Sequence, residues 1–128
     1  MKNEIYDAIK ESLIDYVSPI FIIGGENLSF NNSILLDANM DKKDLLIVGD
    51  KEPLFYKVLK ENNEINTLVI DNFDDLSLRE QEYFIDLICD GMVSGECLPI
   101  DTKIVIRSKK VINLIMDIRE AVEIYNLL

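Results

Sequence analysis

The stretch that decides the fold begins with TLVID at residues 67–71 and ends with TKIVI at residues 102–106, just before Ser108. Both runs are short, apolar and rich in β-branched residues, which is typical of strands buried on both faces. Between them, Ser77 and Glu80 form the capping-box pattern that starts a helix, and Gly91 has the position of a helix C-terminus. A strand, a helix and a second strand in this order predict a parallel pair joined by a crossover.

The flanking sequence extends the same alternation. Upstream, IFII at residues 20–23 predicts a buried strand closed by Gly24 and Gly25, and DLLIV at residues 44–48 predicts another strand. Residues 34–36 fit either a short helix or a strand. We predict helices at residues 3–16, where Ile5, Ile9, Leu13 and Tyr16 recur at helical spacing, at residues 54–62 and at residues 111–119, and a last strand at residues 122–125.

Together these elements predict one α/β domain over residues 1–128. An N-terminal helix occupies residues 1–18 and an α/β core occupies residues 19–128. The expected architecture is a three-layer αβα sandwich around a mostly parallel sheet of about five strands. The length suits one domain.

The charge balance narrows the range of partners. Asp and Glu outnumber Lys and Arg by 24 to 13, giving a net charge of −11. Nucleic-acid binding depends on Lys and Arg displacing counterions, so this balance argues against direct binding to DNA or RNA. An acidic surface favours solubility, or docking of a basic protein. The charged N-terminus does not resemble a signal peptide, and the apolar runs are too short to span a membrane, so we expect a cytoplasmic protein.

Several kinds of catalytic centre are disfavoured by composition. The chain contains no histidine, which removes the commonest general base and any histidine-dependent triad. Its two cysteines, Cys89 and Cys97, are too few for a typical zinc site, and Cys89 falls in the apolar pattern of a helix, where a reduced core thiol is expected.

Residues 67–108 resemble the Walker B to sensor-1 segment of the AAA+ ATPases, a family with a P-loop NTPase fold. The match consists of the strand ending in Asp71, the helix and loop after it, and the strand before Ser108. The resemblance implies that Asp71 helps to hold Mg²⁺, that Ser108 stands near sensor-1, and that Arg119 lies where an arginine finger is often found. The family's helical lid has no counterpart before Leu128.

Two motifs depart from the active family pattern. The acidic residue expected after the Walker B aspartate is replaced by Asn72, and an amide cannot act as a base. The Walker A loop should follow the first strand, yet with Ser33 in the hydroxyl position, Asn32 stands in place of the lysine and Glu26 in place of the first glycine. ATP and Mg²⁺ would then depend on Asn32, Ser33, Asp71 and Ser108, and we expect no tightly bound cofactor.

Two other interpretations concern the acidic strand ends. Asp71, Asp74 and Asp75 could hold a divalent cation, or could be solvated acids placed before a helix N-terminus, where the dipole favours them. A flavodoxin-like or receiver-like domain would also place acids at strand ends, but a receiver needs an acidic pair after its first strand, where Gly24 and Gly25 stand.

The resulting hypothesis is a non-hydrolysing AAA+-like domain that binds protein partners, as a regulatory subunit or hetero-oligomer member in a DNA replication or remodelling assembly. One alternative is a weak or partner-dependent ATPase that uses Asp71, Ser33 and Ser108. The other is an acidic interaction protein from a phage or mobile element. The two unmatched Walker positions argue against an enzyme.

Overall fold

The computed structural model describes the backbone of residues 2–15 and 18–128, and the side chains of residues 4–11 and 18–128. Within these residues the strands are β1 (Ile20–Ile23), β2 (Ser33–Asp37), β3 (Thr67–Asp71), β4 (Met92–Val93), β5 (Glu96–Cys97), β6 (Lys103–Ser108) and β7 (Glu123–Asn126). The α-helices are α1 (Lys2–Asp15), α2 (Leu54–Glu61), α3 (Leu78–Gln81), α4 (Ile85–Asp90) and α5 (Met116–Ala121). Of the predicted face of the first helix, Leu13 and Tyr16 lie outside the described side chains.

Five strands form one parallel sheet in the order β2-β3-β6-β1-β7. β6 lies between β1 and β3, so that Val105 is in register with both Ile20 and Val69. The two remaining strands, β4 and β5, make a small antiparallel hairpin in the segment expected to be a loop. The prediction of an α/β fold with a mostly parallel sheet of five strands is therefore confirmed.

Alternation along the strands sends apolar side chains to both faces of the sheet. On one face, the sheet packs against α2, α4 and α5 in a core that includes the edge-to-face rings of Phe21, Phe73 and Phe84. On the other face, Ile20, Ile22, Val69 and Val105 pack against Ile9 of α1, with Leu28 and Phe30 at the margin of this cluster. Helices thus lie on both faces of the sheet, with three of the described α-helices on the first face and α1 on the second.

The connection from β1 to β2, residues 24–32, is a segment of turns and loop without a helix, which we call the strap. It crosses three strand spacings of about 4.8 Å and returns from the carboxyl end of β1 to the amino end of β2, a diagonal of roughly 20 Å. A helix of that many residues rises only about 14 Å, whereas an extended chain reaches about 30 Å. A single helix is therefore too short to make this connection, and these residues, all described, contain turns and no helix.

The prediction of a strand at residues 44–48 is wrong. Lys42–Leu45 forms a 3₁₀-helix, and the side chain of Asp41 caps it by accepting a hydrogen bond from the Lys43 backbone N–H. Leu45 is buried, but Leu46 and Val48 are 51% and 63% exposed. The fifth strand is instead β2, in the segment whose sequence fitted either a helix or a strand.

After β3, one local prediction is confirmed and another is corrected. Ser77 and Glu80 form the predicted capping box, with both hydrogen bonds at 3.1 Å. The predicted helix at residues 111–119 is shorter and later, at α5, because the preceding loop is tied to the buried Gln81. The Gln81 amide donates to the Asn113 carbonyl and accepts from the Ile115 N–H, each at 2.9 Å.

Candidate functional site: the crevice at the carboxyl ends of the central strands

A crevice of about 170 Å³ opens where the connections of two neighbouring strands diverge. The chain leaving β1 runs toward β2 at one edge of the sheet, whereas the chain leaving β6 runs toward β7 at the opposite edge. In open parallel α/β sheets, ligands bind at such switch points, outside the carboxyl ends of the strands. Its lining residues come from the ends of β1, β3 and β6: Gly24, Glu26, Asp71, Asn72, Arg107, Ser108 and Lys109.

An arginine and an aspartate from adjacent strands occupy the centre of this crevice. Arg107 on β6 donates to both carboxylate oxygens of Asp71 on β3, through Nε to Oδ1 and through Nη2 to Oδ2, the latter at 2.6 Å. The two side chains are 18% and 22% exposed. A bidentate arginine–carboxylate pair is among the stronger hydrogen-bonded contacts in proteins, so Asp71 already has a cationic ligand from its own chain.

The same guanidinium also binds the strap. Nη1 of Arg107 donates to the Leu28 carbonyl at 2.7 Å, and the Arg107 guanidinium carbon lies 5.8 Å from the centre of the Phe30 ring. The strap is further fixed at its start, where the Gly24 N–H donates to the Ser108 carbonyl at 2.8 Å. Arg107 therefore connects β3, β6 and the strap across the site.

The conformation at position 72 explains why an asparagine follows the strand. Asn72 has φ 62° and ψ 30°, in the left-handed region that asparagine tolerates better than most residues. This turn leads directly into the 3₁₀-helix Phe73–Asp75, which buries Phe73. Asn72 thus has a backbone role at the position where the family resemblance implies a catalytic acid.

Ser108 lines the same crevice as Asp71, but its hydroxyl is already bonded. It is 2% exposed, and its Oγ donates to the Lys110 carbonyl at 2.5 Å. The Lys110 N–H approaches the same oxygen at 3.4 Å. These contacts shape the turn that follows β6.

The three aspartates of the predicted acidic cluster have separate partners. Asp71 binds Arg107, Asp74 accepts from the Lys109 N–H at 3.1 Å, and Asp75 accepts from the Asn39 amide at 2.7 Å. Among the described residues, no group of three or more histidine, cysteine, aspartate or glutamate side chains is arranged to hold a metal ion.

The remaining predicted site residues lie elsewhere. Asn32 and Ser33 are at the amino end of β2, in register with the start of β3, about four residues of strand away from Asp71. The Ser33 hydroxyl donates to the Phe30 carbonyl at 2.7 Å. Arg119 is exposed in the last turn of α5 and does not line the crevice. The structure thus brings together Asp71 and Ser108, but not Asn32, Ser33 or Arg119.

The key residue of the crevice, Arg107, is not among the residues predicted from the sequence. What the sequence shows at this position is a charged residue directly after the apolar run of β6. Arg107 is in register with Asp71, because Ile70 and Ile106 are partners one residue earlier in the two strands. That signal can be interpreted only once β3 and β6 are known to be neighbours.

The two cysteines are both free thiols. Cys97 is exposed, and Cys89 is partly buried with its thiol 3.4 Å from the Asp117 carbonyl oxygen. Burial raises the pKa of the Cys89 thiol above its usual value. It is therefore protonated near neutral pH, which agrees with the predicted core thiol.

Comparisons of the sequence with known proteins add no relative. No protein-family model matches the chain, and the search of curated proteins returned no match. In the part of the chain that the structure describes, no helix has the length and apolar character needed to cross a membrane.

Proposed function

We propose that this chain is a non-hydrolysing α/β domain, related to the AAA+ P-loop NTPases, that acts by binding protein partners as a regulatory or assembly subunit. The observation that carries the proposal is the pairing of Arg107 with Asp71 inside the switch-point crevice. The Arg107 guanidinium engages the carboxylate that would serve a nucleotide-bound Mg²⁺, and also the strap.

The form of the strap supports the same proposal. A phosphate-binding loop works because backbone N–H groups gather at a helix N-terminus, with a lysine to neutralise the phosphates. Here a segment of turns and loop stands in place of that helix, and Glu26 brings a negative charge to the crevice. A bound triphosphate would find no helix dipole there, and the charge of Glu26 would oppose that of Lys109, which also lines the crevice.

The surface supports a role in binding proteins. Large apolar side chains are exposed at Leu35, Val48 and Leu54, and these three line one groove. Exposed apolar patches on soluble domains often mark interaction sites. A DNA replication or remodelling assembly is the setting that the AAA+ resemblance suggests.

The test is thermal unfolding of the domain with and without millimolar Mg·ATP and Mg·ADP. A ligand present at a hundred times its dissociation constant stabilises a fold by about 2.7 kcal/mol, which for a domain of this size raises the midpoint by about 10 °C. We expect no shift from either nucleotide. A reproducible increase of several degrees that disappears when Asp71 is changed to Ala would contradict the proposal and favour the alternative of a weak ATPase.

A further inference from the structure

A large groove runs along the free side of strand β2. It has a volume of about 1040 Å³ and is bordered by Ile34, Leu35 and Leu36 on one side and by residues from the 44–57 segment on the other. Leu35, Val48 and Leu54 are 60%, 63% and 75% exposed. Pockets for small ligands are typically about 300–1,000 Å³, so this groove has the size for a peptide segment.

The backbone of β2 presents unpaired hydrogen-bonding groups to this groove. Within the described residues β2 pairs with β3 alone. The Ala38 N–H donates to the Asp71 carbonyl at 2.8 Å, and the Asn32 carbonyl accepts from the Thr67 N–H at 3.2 Å. The backbone N–H and C=O groups of the even-numbered residues of β2 therefore point toward β3. Those of Ser33 and Leu35 point to the open edge.

This edge lacks the features that usually prevent strand addition. Native edges are protected by lysine, proline, bulges or a covering element, yet Ser33–Asp37 reads SILLD, with its one charge at the last residue. The opposite edge strand, β7, begins with the exposed charge of Glu123. An exposed leucine in the middle of an open, apolar edge indicates a surface that is covered in a complex.

We propose that β2 binds an extended segment of a partner protein as an added strand, and that this segment has alternating apolar residues flanked by lysine or arginine. The inference rests on the proposed function and identifies its docking surface. Backbone hydrogen bonds at Ser33 and Leu35 supply the register, and Leu35 and Leu54 contact the apolar side chains. The flanking charge follows from the net charge of −11 of the chain. Within the groove, Asp44 and Asp50 are available to a basic segment, whereas Glu52 is already paired with Lys60.

A second copy of the chain fits this surface less well. An antiparallel β2–β2 contact could place Leu35 opposite its symmetry mate, but it would bring together two domains that each carry a charge of −11. A basic segment removes that repulsion. Self-association through β2 is therefore an outcome that would overturn the proposal.

The test uses a displayed library of random peptides about ten residues long, selected on the wild-type chain. The recovered peptides are then measured by fluorescence polarisation against wild type, Leu35→Pro and Ile124→Pro. Proline removes the outward N–H and is tolerated on edge strands. Ile124 is the matched control, because it is 49% exposed and its own backbone also points outward from the opposite edge, as shown by the neighbouring bonds of Glu123 N–H to Pro19 and Leu127 N–H to Ile23.

We expect recovered peptides to alternate apolar residues, to carry net positive charge, and to bind Leu35→Pro about tenfold more weakly or worse, with Ile124→Pro unchanged. Should Leu35→Pro not fold, Leu35→Lys keeps the backbone N–H and opposes a basic peptide by charge, with the same expected loss. Failure to recover any peptide, equal binding to all variants, or a wild-type dimer that Leu35→Lys dissociates would overturn the proposal. None of these results bears on nucleotide binding, which the thermal-unfolding test decides separately.

Discussion

Removing the guanidinium of Arg107 should weaken the fold and free the strap. The perturbation is Arg107→Met, which keeps the length of the side chain but deletes its donors to Asp71 and to the Leu28 carbonyl. Breaking a fully buried ion pair costs about 3–5 kcal/mol, whereas a fully exposed pair contributes under about 1 kcal/mol. Since the two side chains are 18% and 22% exposed, we expect a loss of about 2 kcal/mol in the free energy of unfolding.

A double-mutant cycle separates the pair from other effects of the substitution. Asp71→Asn alone should also cost about 2 kcal/mol, because it leaves the arginine without its carboxylate. The double variant should lose about 2.5 kcal/mol, and not the sum of the two, which corresponds to a coupling of about 1.5 kcal/mol. Urea unfolding followed by circular dichroism measures all four proteins, and a coupling below about 0.5 kcal/mol would refute the assigned role of the pair.

A second pair in the chain serves as the control. Lys60 and Glu52 also form a salt bridge, but their side chains are 38% and 28% exposed and they are not connected to the strap. The corresponding cycle with Lys60→Met and Glu52→Gln should show a clearly smaller coupling. Amide exchange supplies the local measurement: in Arg107→Met, the Leu28 N–H, which donates to the Gly25 carbonyl at 2.9 Å, should exchange faster.

Three further predictions test other parts of the structure. Gly25→Ala should be more destabilising than Gly95→Ala, by about 1–2 kcal/mol in urea unfolding, because both glycines have positive φ but only at Gly25 would a Cβ meet the Leu127 side chain at 2.6 Å. Ser77→Ala should cost about 1 kcal/mol by the same assay, since it removes the helix cap. Hydrogen bonding from the Asn39 backbone N–H lowers the pKa of Asp37 below its ordinary 3.8. The stabilisation contributed by the ionised Asp37 carboxylate is therefore complete at pH values above 3.8 and is lost as the pH falls below 3.8. The Asp37→Asn variant should accordingly lose less stability than wild type on acidification from about pH 5 to pH 3.

Local sequence predicts those strands whose burial is complete. In β1 all four residues are buried, and in β3 the first four are, so unbroken apolar runs are a sufficient signal. Residues 44–48 carry a similar run, but its first two residues belong to the 3₁₀-helix that Asp41 caps, and Val48 stays on the surface. An apolar run on a protein surface has the same sequence signature as a buried strand, and only tertiary structure distinguishes them.

Of the candidate site, the sequence predicts only those features that depend on local segments. Asp71 and Ser108 can be placed at strand ends from their own segments, so their meeting follows from parallel pairing of β3 and β6. The role of Arg107 depends on the register of those two strands and on the path of the strap beside them. The register and the path of the strap are not encoded in the local sequence. The strap follows its path because β2 is three strands away from β1, and the strand order arises from the whole sheet.

The strap leads from the crevice to the open edge strand β2. A crossover containing a helix would give the crevice a helix N-terminus and would also cover the sheet face on which Leu35 lies, the face shared with Val69 and packed against α1. The strap supplies neither: the crevice holds the Arg107–Asp71 pair, and Leu35 stays exposed at the margin of the same face. The lack of a helix N-terminus at the crevice and the exposure of an apolar sheet edge both accompany this one short connection, and this is why we propose that binding occurs at β2 and not at the switch point.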